Sequence, residues 1–144
     1  MTMRVLGLDL GTKRIGVAVS DRSGTIATPL LVLHRAKNHS LDHAAIARLA
    51  REEEAEAIVV GLPYSMNGAI GKAAQAAINE SSELATVVDV PVYVHDERLT
   101  TVTADRVLME ARMKADARRR VVDKVAAAVM LQSWLDARRE NSST

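Results

Sequence analysis

The segment Met3-Arg4-Val5-Leu6-Gly7-Leu8-Asp9-Leu10-Gly11-Thr12-Lys13-Arg14 places one carboxylate near the end of an otherwise apolar strand. An ionised carboxylate there pays a large desolvation cost unless a cation or hydrogen-bond donors compensate it. Under two-residue alternation Asp9 shares its side of the pleat with Gly7 and Gly11, while Leu6, Leu8 and Leu10 face the other way. Small neighbours on the carboxylate side leave room for a bulky ligand, with a metal ion or a phosphate as the natural candidate.

The rest of the chain reads as strands and helices that bring other residues to that strand end. Residues 14–20 form a second strand after only Gly11-Thr12-Lys13, a connection short enough for an antiparallel hairpin. Asp21-Arg22-Ser23-Gly24 is a turn, and residues 26–34 form a third strand that Pro29 assigns to an edge. Ser40 or Asp42 can cap a helix reaching about residue 55, with Ala44, Ala45, Ile46, Leu49 and Ala50 as its apolar stripe. Ala57-Ile58-Val59-Val60-Gly61-Leu62 is continuously apolar, as a parallel strand covered on both faces must be. Helices are expected over 72–84, from Thr100 or Thr101 to about 115, and over 122–138, with a fifth strand over 90–95. The expected architecture is α/β, a mixed five-stranded sheet in which three antiparallel strands precede βαβ units, with helices on its faces. At 144 residues the chain fits one domain, 1–140, with a flexible tail over 141–144.

Composition narrows the chemistry. No cysteine is present, which excludes disulfides and thiolate metal sites. No apolar stretch approaches the roughly 20 residues of a membrane span, and no N-terminal apolar leader is visible, so a soluble cytoplasmic protein is expected. A formal net charge of +1 predicts no polyanion partner by itself, so such a site requires local clustering.

Three acidic positions stand out: Asp9, the Asp96/Glu97 pair at the end of the fifth strand, and Asp123. Helical spacing puts Asp123 on a face with Ala127, Met130 and Trp134, toward the sheet, although Asp also fits a plain helix cap. Alternation groups Asp96 with Val92 and Val94, and Glu97 with Tyr93 and His95, so only one of the pair can share Asp9's edge. Carboxylates converging at the ends of parallel strands repel unless divalent cations neutralise them. Oxygen-only donors select Mg²⁺ or Mn²⁺, and two such ions roughly 3.5–4 Å apart serve both attacking and leaving oxygens in phosphodiester hydrolysis. Lys13, Arg14 and Arg98 flank the acids, and Arg112, Lys114, Arg118, Arg119, Arg120 and Lys124 lead up to and follow Asp123, a positive collar suited to a phosphate backbone. With two Tyr, one Trp and no Phe, a base-stacking platform is not expected, although Tyr64 lies in the loop after the fourth strand. Gly61-Leu62-Pro63-Tyr64-Ser65-Met66-Asn67-Gly68 can hold an anion on its amides or serve as a tight connection. His39 and His43 are one helical turn apart with His34 near, but zinc needs a further ligand that the sequence does not identify.

Together these motifs resemble the YqgF/RuvX family, whose members have a ribonuclease H-like fold. The resemblance rests on Gly7-Leu8-Asp9-Leu10-Gly11-Thr12-Lys13-Arg14-Ile15-Gly16-Val17-Ala18, Val60-Gly61-Leu62-Pro63, Met66-Asn67-Gly68, Asp96-Glu97-Arg98-Leu99-Thr100-Thr101 and Asp123-Lys124-Val125-Ala126-Ala127. It implies catalytic, metal-holding carboxylates at Asp9, Glu97 and Asp123, and so favours Glu97 over Asp96. It also implies a nuclease that matures the 5′ end of pre-16S ribosomal RNA, with ribosome precursors as partners. The alternative it carries is a Holliday junction resolvase like the related RuvC enzymes, which normally act as two-fold dimers. RuvC-type enzymes carry a further acid at the end of the fourth strand, where this chain has Gly61-Leu62-Pro63. A non-catalytic RNA-binding assembly factor is a third reading. Asp9-Leu10-Gly11-Thr12 also looks like the phosphate turn of sugar kinases and Hsp70-type ATPases, but those close two such domains over nucleotide and this chain has length for one. The chain is expected as a monomer or as a homodimer, for which the exposed side of helix 102–113 is a candidate interface.

Overall fold

The computed structural model describes residues 3–63, 71–96 and 115–142. Strand β1 (Val5–Leu10) turns through Gly11-Thr12-Lys13 into β2 (Arg14–Ser20), and the turn closes with the Gly11 amide donating to the Arg14 carbonyl at 2.9 Å. Strand β3 (Ala27–His34) follows, then helix α1 (His39–Glu52), β4 (Ala57–Leu62), helix α2 (Lys72–Ala85), β5 (Val92–Asp96) and a long helix α3 (Ala115–Ser142). The sheet order is β3-β2-β1-β4-β5. β1, β2 and β3 pair antiparallel, whereas β1 with β4 and β4 with β5 pair parallel. This is the expected mixed sheet, and Pro29 lies on an edge strand, where a residue without an N–H is tolerated. The β2–β3 register shifts between Val17 and Ala18, and Ala18 is the residue opposite Pro29.

Strand alternation divides the core in two. Leu6, Leu8, Ile15, Val17, Ile58 and Val60 meet Ile46, Leu49 and Leu84 of α1 and α2. Val5, Ala18, Ala57 and Val59 meet Ala127, Ala128, Met130, Leu131 and Leu135 of α3 on the other face. With no Phe in the chain, close approach of Ala-rich surfaces does the work that aromatic volume does elsewhere. A Cβ on Gly7 would stand 2.9 Å from Leu131 Cβ, and one on Gly16 would stand within 1.9 Å of the Asp123 carbonyl oxygen. The α3 backbone therefore rests directly on the glycine-lined part of β1 and β2. The space beside Gly7, which the sequence assigns to a ligand, is filled by this helix: an apolar groove between strands is filled more favourably by packed side chains than by water.

Several local expectations change. The α1 N-cap is Asn38, whose Oδ1 accepts the Leu41 amide at 3.0 Å; Ser40 is already helical and the Asp42 carboxylate is engaged elsewhere. Ala44 is exposed, and the inward positions that sequence spacing gives to an apolar stripe include Asp42 and His43. Helix α3 already covers Ala115 onward, so Asp123 sits well inside it and is not a cap. Its last turn takes in Asn141 and Ser142, the first half of the expected tail. The expected helix from Thr100 or Thr101 lies outside the described residues. Among the described residues no helix is long and apolar enough to cross a membrane.

Candidate active site

Asp9 stands opposite Gly16 in the β1–β2 ladder, on the face covered by α3. Because Gly16 lets the α3 backbone touch β2, the helix delivers Asp123 to the same place. Burial and, second to it, the neighbouring Asp123 carboxylate together push the Asp9 carboxyl up to about 6. Arg14, 109 positions earlier in the chain than Asp123, donates from Nε to Asp123 Oδ2 at 2.5 Å. The guanidinium answers the Asp123 carboxylate. An oxygen-only donor set of this kind fits a hard divalent cation such as Mg²⁺ or Mn²⁺.

The carboxyl ends of the parallel strands finish together. Leu8 is level with Val60 across β1–β4, and Leu62 is level with Asp96 across β4–β5. Tyr93 and His95 belong to the α3 face: the Tyr93 ring lies 5.6 Å from that of Trp134, and His95 Nε2 is 3.1 Å from Ser133 Oγ. β4 ends in Gly61-Leu62 and then Pro63, which carry no carboxylate. Glu97 and Arg98 lie outside the described residues, as does the loop carrying Tyr64, Met66, Asn67 and Gly68. Arg118, Arg119 and Arg120 fall on the first turns of α3, upstream of Asp123, and Lys124 is half-buried beside it. Lys13 is exposed in the turn, whereas Arg14, expected on phosphate, is engaged with Asp123.

A second polar group lies at the same end of the sheet but on the opposite face. Arg35 Nε donates to the Gly11 carbonyl at 2.9 Å, Nη1 to Asp42 at 3.0 Å and to Glu80 at 2.6 Å, and Nη2 to Glu80 at 2.8 Å. Asp42 also accepts the Ala36 amide at 2.8 Å. His43 Nε2 lies 2.9 Å from Glu80 Oε2. Burial alone would raise the Glu80 carboxyl, but hydrogen bonds from Arg35 and His43 outweigh it and hold the group below its ordinary value. The network ties the β1–β2 turn to α1 and α2. Sequence reasoning missed it, although one signal was present: Glu80 falls on the stripe of Ala74, Ala77, Ser81 and Leu84 that α2 buries. A cleft of about 400 Å³ opens beside it, bounded by Gly11, Thr12, Lys37, His39 and Pro63 among others.

A strand-end carboxylate paired with one from a helix laid across a mixed sheet defines a ribonuclease H-like domain. Residues 3–137 match the RuvX family, described as Holliday junction resolvase, and the chain belongs to that family. A protein of Moorella thermoacetica named "Putative pre-16S rRNA nuclease" is 47% identical over 139 residues, covering 96% of this chain and 99% of its own length. A relative of the same name from Myxococcus xanthus is 47% identical over 137 residues, covering 95% and 90%. Among solved structures, T. thermophilus RuvC in complex with a Holliday junction substrate superposes with a TM-score of 0.60 at 19% identity, covering 96% of both chains, a likeness of fold.

Proposed function

We propose that this chain is a divalent-metal-dependent nuclease that hydrolyses phosphodiester bonds in structured nucleic acid, with the 5′ end of pre-16S ribosomal RNA as its substrate. The observation that carries the reading is the Asp9–Asp123 pair. Two carboxylates forced together, one raised to about 6, are unfavourable for a mere binding surface, because they repel a polyanion unless cations are present. The names of relatives 43–47% identical over most of the chain support the RNA substrate.

Asp9, Asp123 and Glu97 would hold Mg²⁺ or Mn²⁺, which when bound supplies charge neutralisation for an in-line displacement at phosphorus. The family resemblance of Asp96-Glu97-Arg98-Leu99-Thr100-Thr101 supports Glu97 over Asp96 as the third acid. Arg14 orients Asp123 and tempers the charge of the pair. Lys13, Arg98, Arg118, Arg119, Arg120 and Lys124 would hold the phosphate backbone to either side.

The family description and the RuvC likeness favour a second reading, resolution of branched DNA. The β4 end, Gly61-Leu62-Pro63, lacks the acid that such enzymes carry there, and we therefore rank it second. The deciding experiment incubates pure protein with a precursor ribosomal RNA and with a four-way DNA junction, each in Mg²⁺ or Mn²⁺, beside the Asp9→Asn variant. Cleavage of the RNA by wild type alone is the expected result. Symmetric cutting of the junction with intact RNA would instead establish the resolvase. Salt-sensitive binding without cleavage of either substrate would reduce the protein to an RNA-binding assembly factor, and equal cleavage by Asp9→Asn would remove the assigned site.

A further inference from the structure

We infer that His39, His43 and Glu80 form a zinc site that fastens α1 to α2, separate from the carboxylates at Asp9. The three side chains present ligand atoms that all lie within 4.8 Å of one another. His39 and His43 are one turn apart on α1, with ring centroids 5.6 Å apart, and Glu80 faces both from α2. Two imidazoles and one carboxylate are a donor set that selects zinc and similar transition-metal dications over magnesium.

The geometry is close to what an ion requires. His39 Nε2 lies 3.9 Å from Glu80 Oε1, slightly less than two metal–ligand bonds of roughly 2.0–2.2 Å laid end to end. Among the described residues Oε1 accepts one hydrogen bond, from Arg35 Nη2, which leaves it a lone pair. At His43 the ion takes the place of the hydrogen shared with Glu80 Oε2, and the neutral ring then carries its proton on Nδ1. A tetrahedral ion needs its ligand atoms roughly 3.4 Å apart, so the cluster closes by a small rotation. His39, 55% exposed at its side chain, is free to make it. A water from the adjoining cleft completes the fourth position.

Two further observations point the same way. Glu83 Oε2 is 2.9 Å from His39 Nδ1, the carboxylate–histidine contact that orients a ring whose other nitrogen binds metal. Asp42, Glu80 and Glu83 stand beside the Arg35 guanidinium and the exposed Lys37 that lines the same cleft, and they leave net negative charge that favours a bound cation when both imidazoles are neutral.

The test uses the full chain, stripped with chelator and titrated with Zn²⁺ alone and, in parallel, with Co²⁺ alone. One equivalent of tightly held Zn²⁺, an intense visible Co²⁺ band of the kind six-coordinate oxygen sites lack, and a rise in Tm are expected. His39→Ala, an exposed change that leaves the Arg35–Glu80–His43 contacts in place, should abolish the band and the Tm rise. Glu83→Gln should weaken zinc binding about tenfold, and Asp9→Asn should leave it unchanged. Absence of zinc retention, full retention by His39→Ala, or loss of the band in Asp9→Asn would each overturn the assignment. None of these readouts depends on nuclease activity.

Discussion

In the proposed function Asp9 is the residue on which the chemistry turns, and its ionisation opposes the fold when no metal is bound. Its carboxyl titrates at about 6 in the folded chain, above its ordinary value of 3.8. The folded state therefore binds more protons than the unfolded one between these values, and stability falls as pH rises through that window. Below about pH 4 the acid is protonated in both states and the penalty vanishes. Asp9→Asn should accordingly stabilise the chelator-treated protein at pH 8 by about 2 kcal/mol, after allowance for the partial exposure of the group. Urea unfolding at pH 8 and pH 4 checks this, with the two proteins converging at the lower pH. Arg35 behaves in the opposite sense. It pairs with Asp42 and Glu80, both about 95% buried, and Arg35→Met would strand two carboxylates away from water. A loss of roughly 3–5 kcal/mol by urea unfolding at pH 7.5 is expected. The unusual position of Asp9 was legible in the sequence because alternation needs only neighbours. The partners of Arg35 were not, because they come from elements 7 and 45 positions away.

At the scale of elements, the contact between α3 and the β1–β2 hairpin decides whether the carboxylates meet. A Cβ on Gly16 would run into the Asp123 carbonyl, whereas one on Gly7 would meet Leu131 Cβ, also fixed to the helix backbone but farther off at 2.9 Å. Gly16→Ala should therefore destabilise by about 3 kcal/mol or more and depress cleavage by separating Asp123 from Asp9. Gly7→Ala should have the smaller effect on both. Denaturant midpoints and initial cleavage rates of the two variants test the ranking. The mixed antiparallel and parallel pairing, the short hairpin connection and the edge position of β3 follow from loop length, Pro29 and the apolar run of β4. The extent of α3 does not: it already covers residues 115–121, upstream of the helix expected over 122–138, and those residues are helix formers without an apolar stripe to mark them. The α1 cap was misplaced because Asn38, Ser40 and Asp42 are all competent caps, and tertiary demand on Asp42 settles which one acts.

For the whole molecule, a net charge of +1 gives little long-range pull on nucleic acid, so affinity must come from local clusters of basic residues such as Arg118-Arg119-Arg120. Replacing Arg118, Arg119 and Arg120 together by Gln should reduce the salt slope of RNA binding by about 2, at roughly 0.7 per phosphate contact on single-stranded RNA. Filter binding across a salt series measures it, and an unchanged slope would place the triplet away from the backbone. By itself the sequence determined the class of fold, the strand that carries Asp9, and the residue types suited to a hard cation, since periodicity, loop length and burial cost are local properties of a chain. Only the tertiary structure decided that the glycines beside Asp9 seat a helix, that Arg14 answers Asp123, and that Glu80 reaches the two histidines of α1. Those outcomes depend on the distance between elements, which is set by how closely packed surfaces can approach, and no spacing along the chain encodes it.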